Sequence, residues 1–320
     1  MIVIRANAVV ASRMKRVLLT AIAMLSVASV TWADPVPPGD NKPDAPLQGP
    51  DGVTSLSGQV VDLDGRGLPG VELSAVGAKA TSDAGGRFLL TYVKPGASVL
   101  HIDGRHAGAK RDADYGFYQA RVEAKPGQTN VLPYKSWLPL IDHSHDVTLS
   151  VPTRGEVVVR APGIPDLELR IDAGVVIRDV DGREARRVGI TAVPADRTPV
   201  PLPANANIPT FFIIQPGAAC LYDAKGGIGT AKLVFPNFDK ELPKARATLW
   251  RYEPDGNGWA PYGQGTVSSD GRQVIPDAGV VLTDFSSAEC DPQTRTRQPP
   301  PSRITPDQIR MQKQMRTKQQ

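Results

Sequence analysis

Apolar and polar positions in this chain alternate over short runs, and Gly, Pro, Asp and Asn break the runs every few residues. Alternation with a period of two sends successive side chains to opposite faces of a strand. Leu56 to Leu63, Val71 to Val76, Lys79 to Thr81 and Arg87 to Leu90 follow that pattern. The turn Asp64-Gly65-Arg66-Gly67-Leu68-Pro69-Gly70 holds glycines that accept positive φ and a proline that blocks helix, and Ser82-Asp83-Ala84-Gly85-Gly86 forms a second break. Three or four antiparallel strands therefore meet in under forty residues.

The pattern continues. Ser98 to Ile102 runs into the turn Asp103-Gly104, and Tyr115 to Ala124 is stopped by Lys125-Pro126-Gly127. Asn130 to Leu140 carries two prolines, which suits an edge strand or an extended connector, and the first domain boundary is expected there. Glu156 to Arg160, Leu167 to Ile171, Val188 to Val193, Thr210 to Gln215, Ala231 to Phe235, Ala247 to Tyr252 and Gln273 to Ile275 read as further strands. The expected fold class is all-β: two consecutive antiparallel β-sandwich domains, 55–140 and 141–290.

The flanks differ. Met14-Lys15-Arg16, the apolar run Val17 to Val30 and the small-residue site Thr31-Trp32-Ala33 make 1–33 a secretory signal peptide cleaved after Ala33, with translation starting at Met1 or Met14. No later run reaches eighteen apolar residues, so no transmembrane span is expected after cleavage. Residues 34–54 are rich in Pro, Gly and Asp and read as a disordered linker. Residues 291–320 read as a basic, mostly disordered tail in which Thr305-Pro306-Asp307-Gln308 can start a short helix. The charge is uneven: 1–33 holds four basic and no acidic residues and 291–320 seven against two, which leaves 26 basic and 31 acidic over 34–290. The basic character thus belongs to the ends, which argues against nucleic-acid binding by the sandwiches and allows an anionic surface to dock on 291–320.

The wording of 55–93, Gly58-Gln59-Val60-Val61-Asp62 through Leu68-Pro69-Gly70-Val71 to Thr81-Ser82-Asp83 and Gly86-Arg87-Phe88, resembles the carboxypeptidase regulatory-like domain, a small transthyretin-like sandwich. Leu169 to Val175, Ile208-Pro209 to Phe212, Gln215-Pro216-Gly217-Ala218 and Leu233-Val234-Phe235-Pro236-Asn237 resemble the sandwich shared by ankyrins and netrin receptors. Trp137-Leu138-Pro139-Leu140, Leu249-Trp250-Arg251-Tyr252 to Trp259, and Gly265-Thr266-Val267-Ser268-Ser269-Asp270-Gly271 resemble the segment preceding the YD repeats of bacterial Rhs-type surface and toxin proteins. No YD repeat follows within the chain, so the resemblance implies a stand-alone relative or partner of such proteins. Phe285-Ser286 resembles the self-cleaving step of some ankyrin-type relatives, but Asp284 stands where those have histidine, so no self-cleavage is implied.

Catalytic signatures are absent from the sequence. None of His101, His106, His143 and His145 begins an H-x-x-E or H-E-x-x-H motif, and no G-x-S-x-G elbow occurs. Gly226-Gly227-Ile228-Gly229-Thr230-Ala231-Lys232 lacks the Lys-Ser/Thr pair of a phosphate loop and reads as a hairpin turn. Asp62-Leu63-Asp64-Gly65 breaks EF-hand spacing and reads as turn chemistry.

Three sets of residues remain. His143-Ser144-His145-Asp146, if extended, puts both imidazoles on one face where a metal needs a third ligand from elsewhere; the alternative is a polar interdomain loop. Trp250, Tyr252, Trp259 and Tyr262 surround the turn Asp255 to Gly258, either as core and cross-strand pairs or as aromatics that stack on a sugar. Cys220 and Cys290 make an even pair behind an export signal and are expected to form a disulfide. The expected function is a secreted or cell-envelope non-enzymatic scaffold or binding module without a cofactor, whose partner is an envelope or surface protein or a glycan. The alternative is a metal- or carbohydrate-binding accessory protein.

Overall fold

The computed structural model describes residues 2–6, 41–108, 113–202, 210–256 and 258–285. The chain is all-β. The first unit holds β2 (Ser55–Asp62), β3 (Glu72–Ala75), β4 (Ala78–Thr81), β5 (Arg87–Thr91), β6 (Gly96–Asp103), β7 (Phe117–Ala124) and β8 (Thr129–Leu138), preceded by β1 (Ile2–Ala6). A 3-10 turn, His143–His145, follows. Then come β9 (Val147–Thr148), β10 (Val157–Arg160), β11 (Glu168–Ile171), β12 (Val175–Arg178), β13 (Arg187–Val193), β14 (Phe211–Gln215), β15 (Cys220–Asp223), β16 (Ala231–Pro236), β17 (Arg246–Glu253), β18 (Gly258–Val267) and β19 (Gln273–Pro276). Among the described residues no helix is long and apolar enough to cross a membrane.

The first unit stacks a three-stranded sheet, β5-β2-β8, on a four-stranded one, β4-β3-β6-β7. Alternate residues of both sheets, Leu56, Val60, Phe88 and Leu90 against Leu73, Leu100, Ile102 and Val122, fill the space between them. Pairing is antiparallel with one exception: β8 returns from the other sheet and runs parallel to β2. It lies at the sheet's edge and carries Pro133, where a missing N–H donor costs no ladder bond.

β2 is buried on both faces. Its polar face, Ser55, Ser57 and Gln59, is covered by residues 41–49. The Gln59 amide donates to the Gly85 carbonyl at 2.8 Å and accepts from the Asp44 N–H at 2.9 Å. The Trp137 indole donates to the Asn41 side chain at 2.5 Å, and Lys135 pairs with Asp44 at 3.0 Å. This corrects the expectation of a disordered linker over 34–54: residues 41–54 are laid on the sheet. Their backbone and short polar side chains match buried polar groups of β2 and β8, so they dock without apolar residues of their own. Residues 34–40, the rest of the signal segment beyond β1, and the tail lie outside the described residues; β1 runs antiparallel along β17.

In the second unit a seven-stranded sheet, β1-β17-β18-β19-β16-β11-β10, faces two smaller ones, β14-β13-β9 and β12-β15. Leu169, Leu233 and Leu249 meet Ile177, Ile190, Phe212 and Leu221 in its core. The two units are not separate bodies joined by a strand end. β14, Phe-Phe-Ile-Ile-Gln, is buried throughout because Phe212 and Ile214 enter the second core while Phe211 and Ile213 enter the first. β13 and β17 divide in the same way, with Val193 and Tyr252 reaching the first core.

Candidate functional site

Between the units, His143 bridges two carboxylates. Asp114 precedes β7 and is fixed by its own backbone, its carbonyl accepting from the Ile141 N–H at 2.8 Å. His143 Nε2 lies 3.0 Å from Asp114 Oδ2, and Nδ1 lies 2.7 Å from Asp146 Oδ2. The expected extended geometry is corrected here: a 3-10 turn capped by Asp142 swings His145 away to Ser144 Oγ and Asp142, so the two imidazoles do not share a face. While His143 is protonated both ring nitrogens donate to carboxylates and no lone pair is left for an ion at that ring, and no group of three potential ligands stands among the described residues.

Partial burial pulls the His143 pKa down, but the bonds to Asp146 and Asp114 outweigh it and the net shift is upward. A folded-state pKa above the unfolded value stabilises fully below about 6.5, the unfolded value, and the contribution disappears as pH rises through the folded value. The melting temperature of the native protein should therefore fall between pH 6.5 and the pH where His143 discharges, and His143→Gln should flatten that stretch of the profile. Equal slopes in the two proteins would show that the bridge does not form.

The aromatic quartet is placed at the same junction and not toward a ligand. Tyr252 is 5% exposed, and its hydroxyl accepts from the Arg121 N–H on the free edge of β7 at 2.8 Å. Trp259 packs edge-on against Tyr252 and Phe211, with centroids 5.6 and 6.4 Å away, and its indole donates to the Pro201 carbonyl at 2.9 Å. Trp250 and Tyr262 are half-buried, and burial raises the Tyr262 phenol. The reading of these four as an exposed sugar platform is thereby corrected for Tyr252 and Trp259. A free β edge invites pairing, and the second unit covers it with these rings. Among the described residues there is no free cysteine; Cys220 opens β15, and Cys290 and Ser286 lie outside the described residues.

A polar groove lies elsewhere, on the outward face of the four-stranded sheet. A groove of about 320 Å³ is lined by Glu72 and Ser74 of β3, Lys79 and Thr81 of β4, His101 and Asp103 of β6, and Phe117 of β7. Register places them in cross-strand rows, Thr81-Glu72-Asp103-Phe117 and Lys79-Ser74-His101. The Phe117 ring is pinned between the His101 ring, 5.7 Å away, and the Arg105 guanidinium, 5.6 Å away. Burial raises the Asp103 carboxyl, but Arg105, bonded through Nε at 2.8 Å and Nη2 at 2.5 Å, holds it below its ordinary value. Arg105 also reaches Asp181 of the second unit at 2.8 Å.

Both partners in that clasp come from Asp-Gly-Arg triplets, which occur at 64–66, 103–105, 181–183 and 270–272. The groove was readable in principle: once Leu100 and Ile102 point inward, His101 and Asp103 must point outward, as Glu72 and Ser74 do beside Leu73.

The chain matches no family profile and no curated protein. Among solved structures it is similar to the Bacillus anthracis TIE protein, at 13% identity and a TM-score of 0.24 over 70% of this chain and 44% of that one. A putative carbohydrate binding protein from Bacteroides uniformis aligns at 12% identity and a TM-score of 0.20 over 69% of this chain and 100% of that one. Fervidolysin from Fervidobacterium pennivorans, a keratinolytic enzyme related to subtilisin, aligns at 16% identity and 0.17 over 75% of this chain and 35% of that one. Likenesses this slight carry nothing over to this chain's function.

Proposed function

We propose that this protein is an exported, non-enzymatic binding module of the cell envelope, related to the carboxypeptidase regulatory-like and ankyrin/netrin-receptor-type sandwiches that precede YD repeats in Rhs-type proteins. The observation that carries the binding role is the groove. Glu72 and Lys79 stand exposed at its rim with no ion-pair partner among the described residues, whereas Asp62, Asp83, Asp103 and Glu168 are each matched by an arginine. Supporting the resemblance, its motif residues occupy turn positions. Ser82 Oγ donates to the Leu68 carbonyl at 2.6 Å and accepts from the Val71 N–H at 2.9 Å. Asp83 Oδ1 accepts from the Gly85 and Arg87 N–H groups at 2.8 and 2.9 Å.

In this reading Cys220 and Cys290 form a disulfide, closing a loop of about seventy residues worth roughly 4 kcal/mol in the chain-entropy description. The basic tail, 291–320, adds a salt-sensitive attraction to anionic envelope polymers or lipid. Expression in the producing cell should yield an exported chain beginning at Asp34, which lacks β1 and leaves β17 as the edge of its sheet, and whose intact mass shows no alkylated thiol without reductant and two with it. It should be retained on envelope fragments, and in 0.5 M salt, where the attraction of the tail is screened, Ser74→Trp, a tolerated change at an outward strand position, should abolish retention by filling the groove. An uncleaved cytoplasmic chain with two reactive thiols would overturn the proposal.

A further inference from the structure

We propose that the groove on β3, β4, β6 and β7 is a subsite for a neutral saccharide, held through its hydroxyl groups. The inference rests on the groove being this protein's binding site and adds the chemical class of its ligand. Three features lead to it. The first is size: about 320 Å³ sits at the lower end of the roughly 300–1,000 Å³ that small-ligand sites occupy, enough for one or two sugar rings and too little for a folded partner's segment.

The second is charge. Asp103 is neutralised within the wall by Arg105. The opposed charges of Glu72 and Lys79 offset one another across the groove. His101 is partly buried, which lowers its pKa and leaves the ring neutral near pH 7. An anion would find Glu72 facing it and a cation would find Lys79, so a ligand of either sign meets one repulsion for each attraction. A ligand with no net charge meets neither.

The third is the set of hydrogen-bonding groups. Glu72 only accepts, Lys79 only donates, and Ser74 and Thr81 do both. The Gln119 amide nitrogen lies 3.4 Å from His101 Nε2. With that amide donating, Nε2 accepts and Nδ1 is left carrying the ring's proton. Sugar hydroxyls donate and accept at once, and neighbouring hydroxyls on one ring satisfy such a mixed set together. Phe117, buried and pinned by His101 and Arg105, closes the floor of the groove, so the ligand is held through its hydroxyl groups and not by stacking on that ring.

The test uses the full exported protein and envelope fragments of the producing cell in 0.5 M salt, where screening within a few ångströms removes the contribution of the basic tail. Mild periodate, which cleaves carbon–carbon bonds between neighbouring hydroxyls, should abolish retention on the fragments, while protease treatment should leave it intact. Glu72→Gln should weaken retention roughly tenfold or more, as expected for loss of a charged hydrogen-bond acceptor. Its melting curve should overlay that of the unaltered protein. Retention that survives periodate and is lost to protease would overturn the saccharide and leave the binding module standing with a protein partner. Retention in 0.5 M salt that Ser74→Trp does not touch would remove the groove from both readings. No retention on untreated fragments at that salt concentration would reject the saccharide subsite.

Discussion

Replacing Trp259 with alanine should lower the unfolding free energy by about 3 kcal/mol, the lower end of what loss of a packed tryptophan costs, because the ring is only partly buried. The ring makes two edge-on aromatic contacts, with Tyr252 and Phe211, each worth roughly 0.5–1.5 kcal/mol beyond area burial. Its indole N–H bond to Pro201 would also be lost. Tyr252→Phe should cost less, about 1–2 kcal/mol, since it removes only the hydroxyl that satisfies the Arg121 N–H. Because Tyr252 and Phe211 belong to the first core while their strands also serve the second, both sandwiches should lose stability together. In urea, far-ultraviolet circular dichroism and tryptophan fluorescence should report one coincident transition for the native protein. A change below 1 kcal/mol for Trp259→Ala, or two well-separated transitions in the native protein, would show that the units fold independently.

What was legible in the sequence follows from which signals are local. Period-two alternation located most strands within a residue or two, since inward positions such as Leu73, Leu100 and Ile102 must be apolar whatever lies above them. The strands β9, β12 and β15, two to four residues long, left no such trace, and neither did the ten-residue β18, whose Gly258, Pro261, Gly263 and Gly265 read as breaks. The consecutive apolar residues Phe211 to Ile214 did carry a message beyond strand, that both faces are covered, but not by what. That needed the other core. Residues 41–54 misled in the opposite way, because composition reports the lack of apolar surface and is blind to buried polar groups waiting on β2 and β8. The histidine pair misled for a third reason. Extended backbone was assumed, whereas Asp142 caps the turn and Asp114, far off in sequence, claims the ring nitrogen a metal would have used.

The resemblance to the regulatory-like domain rests heavily on glycines, and one pair of substitutions separates the two reasons a glycine is needed. Gly77 has φ +82° and Gly86 has φ +72°, so alanine at either site is held in the left-handed region at about 1–2 kcal/mol. They differ in their surroundings. A Cβ on Gly77 would meet nothing within 4 Å. One on Gly86 would lie 2.0 Å from the Val60 carbonyl oxygen, 2.8 Å from the Leu68 nitrogen and 2.9 Å from the Gly67 Cα. All three are main-chain atoms, and none can rotate aside. They belong to the place where the turn after β2 is pressed backbone to backbone against the turn before β5, through the Leu68 N–H to Val60 bond at 3.0 Å and the Val60 N–H to Gly86 bond at 2.8 Å. Gly77→Ala should therefore cost about 1 kcal/mol and leave the protein folded, while Gly86→Ala should cost more than about 4 kcal/mol, in the range where single changes become diagnostic of a broken backbone contact. Urea midpoints of the two variants decide it. Similar costs would mean that the two turns have room between them, and that the Gly of the Ser-Asp-x-x-Gly-x-Phe wording serves conformation alone.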